Sequence, residues 1–151
     1  MSRPIDLPVP FTYRREIFWG DTDTALIVYT GRFLDYALEA IEAWFRATLG
    51  TDWYAMNVDL GLGTPYVHVD IDFISPLTPR DVLEVRVHVA SIGRSSLGFS
   101  VAGYANGERL SFRGNLVSAF VNIKTMAKIA IPDEYRGRIE AYRDAHAGEL
   151  A

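Results

Sequence analysis

The sequence predicts an α+β fold in which a curled, antiparallel five-stranded sheet surrounds a long central helix. Two observations predict it. A strand-like run is followed by one long apolar helical segment, and four further strand-like runs come next with short connections. Short connections join antiparallel neighbours, because parallel strands need a crossover of a dozen or more residues. One sheet and one apolar helix bury their apolar faces most simply against each other.

The first strand and the helix are predicted from residue type and spacing. Residues 11–19, FTYRREIFW, are rich in aromatic side chains, and GDTD then ends the strand. From residue 31 to residue 49 the pattern is helical, and four charged side chains at spacings of four, three and four form one narrow polar stripe: Asp35, Glu39, Glu42 and Arg46. The other positions are mostly apolar, which indicates a helix enclosed on most sides. Gly50 suits the position after its end.

Four strands are predicted in the rest of the chain: residues 64–73, 81–90, 95–104 and 108–123. The second of these alternates apolar and polar side chains, as a half-buried strand does. Asn106-Gly107, between the last two runs, is a strong hairpin signal. A short helix ended by Gly61 is predicted before these strands. After them, Pro132 and two acids begin a further helix.

Length and composition indicate one globular domain of 151 residues, 49% hydrophobic and 23% charged. We expect an N-terminal tail over residues 1–10, the domain over residues 11–131 and a C-terminal surface helix over residues 132–151. The net charge of −4 argues against binding to nucleic acid. No segment has the roughly 20 apolar residues of a membrane span, so no membrane association is expected. The absence of cysteine excludes disulfides and zinc–thiolate sites and suits a cytoplasmic protein.

The histidines and the glycine-rich segments do not predict a cofactor. The three histidines lack the spacing of a metal site, so no metal is expected: His68, His88 and His146. His88 is interpreted as a solvated residue and His68 as a residue of the sheet surface or a subunit contact. GLGTPY and GRSSLG match neither a dinucleotide fingerprint nor a nucleophile elbow.

Asp21 and Asp23 of the GDTD motif are the candidate chemical groups. Either could simply end the strand and cap a turn, since aspartate does this well. A helix beginning near Thr30-Gly31, however, presents free backbone N–H groups and a partial positive charge close by. An ionised acid facing a polarised carbonyl is the minimum requirement for acyl transfer.

Eight short motifs follow one another along residues 11–135: FWGDTD (18–23), IVY (27–29), FLDY (33–36), GLGTP (61–65), FISPL (73–77), DVL (81–83), RSS (94–96) and IPDEY (131–135). This ordered set resembles the hotdog-fold acyl-CoA thioesterases, in the branch that contains 4-hydroxybenzoyl-CoA thioesterase. The resemblance implies a hotdog thioesterase-like domain over residues 11–131. It also implies a homodimer or homotetramer.

The resemblance assigns roles residue by residue. The catalytic acid of the family, a nucleophile or general base, matches Asp23 and not Asp21. The backbone N–H that polarises the thioester carbonyl matches Thr30, together with Gly31. A loop near the site, often from the neighbouring subunit, matches Gly63 and Thr64. A turn that commonly meets CoA phosphates or pantetheine matches three consecutive residues: Arg94, Ser95 and Ser96. No cofactor is implied beyond the CoA of the substrate itself.

Two positions depart from the family pattern. The family often has Pro-Ala-Gly after the catalytic acid, and this chain has Thr24-Ala25-Leu26. Leu38 matches a place where the hydroxybenzoyl enzyme carries a carboxylate for the ring hydroxyl. A leucine cannot accept that hydrogen bond, which argues against 4-hydroxybenzoyl-CoA as the substrate. Four side chains could line an acyl pocket, although core is the simpler role for most: Tyr36, Leu38, Ile41 and Trp44.

The sequence therefore predicts hydrolysis of an acyl-CoA thioester to free acid and CoA. Two alternatives stay open. One is a non-catalytic acyl-CoA-binding module of the same fold. The other is a hydratase or dehydratase on acyl thioesters, which is disfavoured because no histidine lies near GDTD or the first helix. The acyl group, the choice between CoA and acyl carrier protein as donor, and the choice of nucleophile or base for Asp23 are open as well.

Overall fold

The computed structural model of the protein describes residues 10–146. The tail predicted over residues 1–10 therefore lies outside the described residues except for Pro10, and so do the last residues of the chain, 147–151. Within the described part, no helix is both long and apolar enough to cross a membrane.

The described chain forms an antiparallel sheet and three α-helices. The strands are β1 (Phe11–Glu16), β2 (Leu62–Gly63), β3 (Tyr66–Phe73), β4 (Val82–Ile92), β5 (Ser96–Ala105), β6 (Arg109–Ala119) and β7 (Val121–Asn122), and the helices are α1 (Thr30–Leu49), α2 (Trp53–Val58) and α3 (Asp133–Ala145). Five strands form the main sheet in the order β1-β4-β5-β6-β3, and β2 pairs with β7. Strands β1 and β3 are therefore the edges of the sheet.

The core lies between the sheet and α1. The inward side chains of β4 alternate as predicted, with Leu83, Val85 and Val87 fully buried. The apolar faces of α1 meet them, and Tyr36 and Trp44 have no exposed surface. Gly50 ends α1 in the left-handed conformation, with φ of 70°. The prediction of a five-stranded antiparallel sheet curled on a long helix is confirmed.

Two predicted strands are shorter in the structure. The first ends at Glu16, because the chain turns into a short 3₁₀ helix, Trp19–Asp21. The last predicted run divides into β6 and β7. The division falls at Phe120, whose N–H donates to the Ser95 carbonyl at 2.7 Å. The 3₁₀ helix is accompanied by a local bond from the Phe18 N–H to the Asp21 carboxylate. The break at Phe120 comes from a contact with a residue distant in sequence, which a local pattern does not show.

The predicted hairpin joins β5 to β6. Asn106 and Gly107 both have positive φ, 55° and 71°, the conformation for which Asn-Gly is favoured. Ala105 and Arg109 pair across the turn.

The C-terminal helix α3 lies at the surface and buries one of its faces against α1 and β4. Tyr135, Ile139 and Tyr142 form that face. The Tyr142 hydroxyl donates to the Val87 carbonyl and accepts from the Phe11 N–H at 2.9 Å. Helix α3 therefore closes the core at the β1 edge of the sheet.

Candidate active site

Asp23 lies in a tight turn between the 3₁₀ helix and α1. Its backbone N–H donates to the Ile27 carbonyl at 3.1 Å, and the Leu26 N–H donates to the Asp23 carbonyl at 2.9 Å. These bonds close a three-residue loop in which Leu26 is left-handed, with φ of 65°. Loops of this kind place one left-handed residue, most easily a glycine, after a type I turn. Leu26 therefore takes the conformation that a glycine would adopt without strain.

The Asp23 carboxylate is exposed and is oriented by its own turn. Its Oδ1 accepts a hydrogen bond from the Ala25 N–H at 2.8 Å, the local bond that aspartate commonly forms in turns. The bond uses one carboxylate oxygen, so the other oxygen can act on a ligand.

The start of α1 presents backbone N–H groups beside this turn. No side chain caps the helix among the described residues. The first N–H groups of a helix have no partner within the helix and carry a partial positive charge. Thr30 and Gly31, the first two helical residues, are both exposed. A Cβ added at Gly31 would lie 3.1 Å from the Tyr29 ring, so this ring flanks the helix start.

Asp21 has a different environment from Asp23. It is only 3% exposed. Its backbone carbonyl accepts a hydrogen bond from the Tyr29 N–H at 3.1 Å. That bond ties the chain just before the Asp23 turn to the residue just before α1. The candidate carboxylate and the candidate N–H donors are therefore held in one local unit.

Gly63 and Thr64 lie elsewhere, at the end of β2 and just before β3. They line a cavity of about 250 Å³ together with Trp53, Asn57, Pro65, Tyr66, Ile123 and Met126. A Cβ at Gly63 would come within 2.8 Å of Ile123 Cδ1, so a larger residue here would have to displace the end of the Ile123 side chain. The sequence did not single out the α2 and Ile123–Met126 sides of this cavity, because neither forms a local motif.

The turn of Arg94, Ser95 and Ser96 lies at the same end of the sheet as the cavity. The Phe120 N–H donates to the Ser95 carbonyl, and Phe120 precedes Val121, the pairing partner of Gly63. Arg136 of α3 holds the turn from behind, because its Nη2 donates to the Gly93 carbonyl at 2.8 Å and the Arg94 carbonyl at 3.0 Å. The Arg94 residue itself is exposed. Sequence reasoning missed Arg136, since only the fold brings α3 to this turn.

The predicted site residues thus form two groups in one chain. One group is formed by Asp23, Thr30 and Gly31. It lies beyond the end of β3, where the Val28 N–H bonds to the Leu77 carbonyl. The loop and turn residues form the other group, at the start of β3. Strand β3 has eight residues, which span about 26 Å.

The structure also places the four side chains that could line an acyl pocket, and the histidines. Tyr36, Ile41 and Trp44 are completely buried in the core, and Leu38 is partly buried against it. His68 lies on the outer edge of the sheet with its Nε2 2.7 Å from Asp70 Oδ2.

His88 is half-buried, with its ring 5.6 Å from the ring of the buried His146, so its interpretation as a solvated residue was wrong. Helix α3 covers it. In the part of the chain that the structure describes, no three His, Asp or Glu side chains cluster in a way that could hold a metal ion.

The sequence profile of the thioesterase-like superfamily matches residues 12–139. The chain belongs to this superfamily. A thioesterase-superfamily protein from Jannaschia sp. has the same fold with a TM-score of 0.83 and 34% identity, over 93% of this thioesterase-like chain and 96% of the other. The predicted hotdog family and fold, and the prediction of a thioesterase enzyme, are confirmed.

Two further relatives of the thioesterase-like chain carry the names of CoA-thioester hydrolases. A 1,4-dihydroxy-2-naphthoyl-CoA hydrolase from Synechocystis sp. is 28% identical over 134 residues, which cover 85% of this chain and 94% of the relative. The structure of a gentisyl-coenzyme A thioesterase matches with a TM-score of 0.74 and 25% identity, over 83% of this chain and 98% of that chain.

Proposed function

We propose that the protein hydrolyses an acyl-CoA thioester to a free acid and CoA, with Asp23 as the reacting carboxylate. One observation carries the proposal: Asp23 and the uncapped start of α1 belong to one hydrogen-bonded unit, closed by the bond from the Tyr29 N–H to the Asp21 carbonyl. The names of the Synechocystis hydrolase and the gentisyl-coenzyme A thioesterase support a CoA thioester as the substrate class.

In the proposed reaction, the N–H groups of Thr30 and Gly31 donate to the thioester oxygen as negative charge develops on it. Asp23 either attacks the carbonyl carbon or removes a proton from an attacking water. In both routes the C–S bond breaks and CoA leaves as a thiolate, a fair leaving group that needs no strong general acid. In the first route water then hydrolyses the acyl-aspartyl anhydride. In the second route the proton that Asp23 takes from water passes to the CoA thiolate. Both routes end with the free acid, CoA and regenerated Asp23.

We infer that the working site is completed by a second copy of the chain. Strand β3 is an edge strand, and apolar side chains along it are exposed, including Val67 and Phe73. An exposed apolar edge tends to pair with another chain, and most homo-oligomers are two-fold dimers. Two-fold antiparallel pairing of β3 would set the start of one β3 beside the end of the other. The Gly63–Thr64 loop of one copy would then lie near Asp23 of its partner.

Exposed apolar side chains at both ends of β3 support the same arrangement. One set flanks the Asp23 turn: Phe18, Trp19 and Leu26. The other set lies on or just after α2, beside the cavity: Tyr54, Val58 and Leu60. The same two-fold axis would bring the set beside Asp23 in one copy towards the set beside the cavity in the other copy. Both sets would then be covered. A homodimer, alone or paired into a tetramer, is therefore the proposed state.

The substrate's CoA would extend towards the Arg94 turn. Arg94 is exposed and has no ion-pair partner among the described residues, while its backbone is fixed through Arg136. An arginine on a rigid turn suits a phosphate group. Ser95 and Ser96 would add hydroxyl groups for the pantetheine portion.

The test is thiol release from a panel of short, long, branched and aromatic acyl-CoA esters, followed with a thiol-reactive dye. We expect Asp23→Asn to lower kcat by about 100-fold or more while the protein stays folded. Asp144→Asn, an exposed aspartate on α3, is the matched control and should behave as wild type. Equal thiol release by wild type and Asp23→Asn would contradict the assignment. Formation of an enoyl-CoA instead of free CoA would indicate the hydratase alternative.

A further inference from the structure

A buried ionic network lies beneath the Asp23 turn. The Asp21 carboxylate accepts a hydrogen bond from Arg15 Nη1 at 2.5 Å and from the Phe18 N–H at 2.9 Å, both on Oδ2. Its Oδ1 lies 3.1 Å from Arg32 Nε. Asp21 is therefore a buried carboxylate held by two guanidinium groups and one backbone N–H.

The partners of Asp21 come from three consecutive parts of the chain. Arg15 belongs to β1, Phe18 precedes the 3₁₀ helix, and Arg32 is the third residue of α1. The Asp21 carbonyl in addition accepts the Tyr29 N–H. One residue thus connects the strand, the turn that carries Asp23, and the first turn of the helix.

Aromatic rings and a further acid, Glu39, hold the two arginines in place. The Arg15 guanidinium lies 4.7 Å from the centre of the Tyr36 ring, and Arg32 lies 5.4 Å from that of Tyr29. Arg15 Nε is 3.5 Å from a Glu39 carboxylate oxygen. These ring and carboxylate contacts limit the rotamers that the two arginine side chains can adopt.

We propose that Asp21, Arg15 and Arg32 form a positioning network that sets the distance and direction between the Asp23 carboxylate and the N–H groups of Thr30 and Gly31. This inference rests on the proposed function. The turn needs such support because Leu26, left-handed with φ of 65°, gives it no local preference for its conformation. A shift of about 1 Å in a reacting group can cost about 100-fold in rate.

A positioning role and a merely structural role predict different kinetics. If the network only stabilised the fold, its loss would lower the melting temperature and leave the turnover of each folded molecule unchanged. If it positions Asp23, its loss lowers kcat of the folded enzyme. KM then changes little, because the residues proposed to bind the substrate, in the cavity and the Arg94 turn, are not members of the network.

The variants are Asp21→Asn and Arg32→Gln, with Glu84→Gln as the matched control. Glu84 of β4 pairs with Arg14 of β1 at 3.3 Å. This variant therefore also removes a carboxylate from an ion pair with an arginine. On an acyl-CoA ester that the wild type hydrolyses, we expect kcat to fall about tenfold or more for Asp21→Asn and Arg32→Gln, with KM within about twofold. The control should keep both constants, and Arg32→Lys should recover part of the loss.

Hydrogen–deuterium exchange tests the same inference without turnover. We expect faster exchange of the backbone N–H groups of residues 22–32 in Asp21→Asn than in Glu84→Gln, measured below the melting temperature of both. If Asp21→Asn does not fold, Arg32→Gln supplies both measurements, since Arg32 is the more exposed partner.

The two proposals fail separately. No thiol release by any variant, including wild type, would count against the proposed function, and the exchange data would still decide on the network. A wild-type enzyme that depends on Asp23, together with an unchanged kcat or unchanged exchange in both network variants, would overturn the positioning role alone.

Discussion

At the residue scale, Leu26 shows that the Asp23 turn forms with a left-handed residue that is not glycine. The left-handed conformation costs a non-glycine residue about 1–2 kcal/mol. The leucine is 61% exposed, so within one chain its side chain gains little packing to offset that cost. Contacts around the turn must supply the difference. We assign part of it to the Asp21 network, which joins both ends of the turn.

Asp21 also determines a part of the acid stability. Burial by itself raises the pKa of the Asp21 carboxyl. The hydrogen bond from the Phe18 N–H and the charges of Arg15 and Arg32 outweigh burial, so the pKa lies below its ordinary value. Glu39 and Asp35 approach the same arginines from α1. A carboxyl with a lowered pKa in the folded state stabilises the fold above its unfolded pKa, about 3.9, and this contribution is lost as pH falls through the folded pKa.

We therefore expect Asp21→Asn to reduce the free energy of unfolding by about 2–3 kcal/mol at pH 6. The value is smaller than the ~3–5 kcal/mol of a fully buried pair because both arginines reach water. The difference from wild type should shrink below about pH 4, where the Asp21 carboxyl of the unfolded chain begins to take up a proton while that of the folded chain stays ionised. Urea unfolding at a series of pH values measures it. A difference that stays constant down to pH 2 would contradict the role of the charge.

At the scale of elements, one hydroxyl group bonds α3 to two strands of the sheet. Tyr142 bonds to the Val87 carbonyl in β4 and to the Phe11 N–H at the start of β1. Its ring also packs at 5.4 Å against Trp44 of α1. One side chain thus connects the helix to both neighbouring strands and to the core.

Tyr142→Phe should destabilise the protein by about 1–3 kcal/mol, because it leaves a buried carbonyl and an N–H without their partner. The ring packing would persist, so the effect measures the hydroxyl alone. Tyr54→Phe is the control, since Tyr54 is 77% exposed and should change stability little. Urea unfolding of both variants makes the comparison. Equal stabilities would show that water replaces the hydroxyl without loss.

At the scale of the whole molecule, the two groups of site residues are separated by the length of β3 in one chain. Asp23 and the helix start lie beyond one end, and the Gly63–Thr64 cavity lies at the other. Neither group resembles a complete site alone. The proposed two-fold pairing of β3 would produce two complete sites per dimer, each built from both copies.

Hybrid dimers test this arrangement directly. Asp23→Asn removes the carboxylate, and Thr64→Trp fills the cavity, so each variant alone should be inactive. In a mixed dimer one site would carry both changes and the other would carry neither. Mixing and re-pairing equal amounts should therefore restore about a quarter of wild-type activity, if pairing is random and each dimer has two sites. Native mass spectrometry confirms that mixed dimers form.

The hybrid experiment has a clear negative outcome. Mixed dimers that form in the expected proportion and remain inactive would show that Asp23 and Thr64 do not serve one shared site. Activity of Thr64→Trp alone would show that the cavity does not receive the substrate. Val67→Lys, on the exposed edge of β3, should meanwhile shift the protein towards monomers, because it places a charge on the pairing edge.

The parts of the fold that the sequence predicts correctly rest on local rules. The alternation of Leu83, Val85 and Val87, the polar stripe of α1, and the Asn106-Gly107 turn each follow from neighbours along the chain. The incorrect or missing parts depend on specific contacts that periodicity does not show. The 3₁₀ helix before Asp23 is accompanied by the bond from the Phe18 N–H to the Asp21 carboxylate, and the break at Phe120 by its bond to the distant Ser95.

The sequence by itself determined the order of strands and helix, the family, and the candidate site residues. It could do so because periodicity and short motifs are encoded within a few neighbouring positions. Only the tertiary structure decided that Asp21 is buried between two arginines while Asp23 is exposed. It also placed the Gly63 loop and the Arg94 turn together, away from Asp23. These facts depend on contacts between different strands, turns and helices, which form only when the sheet closes on its helix.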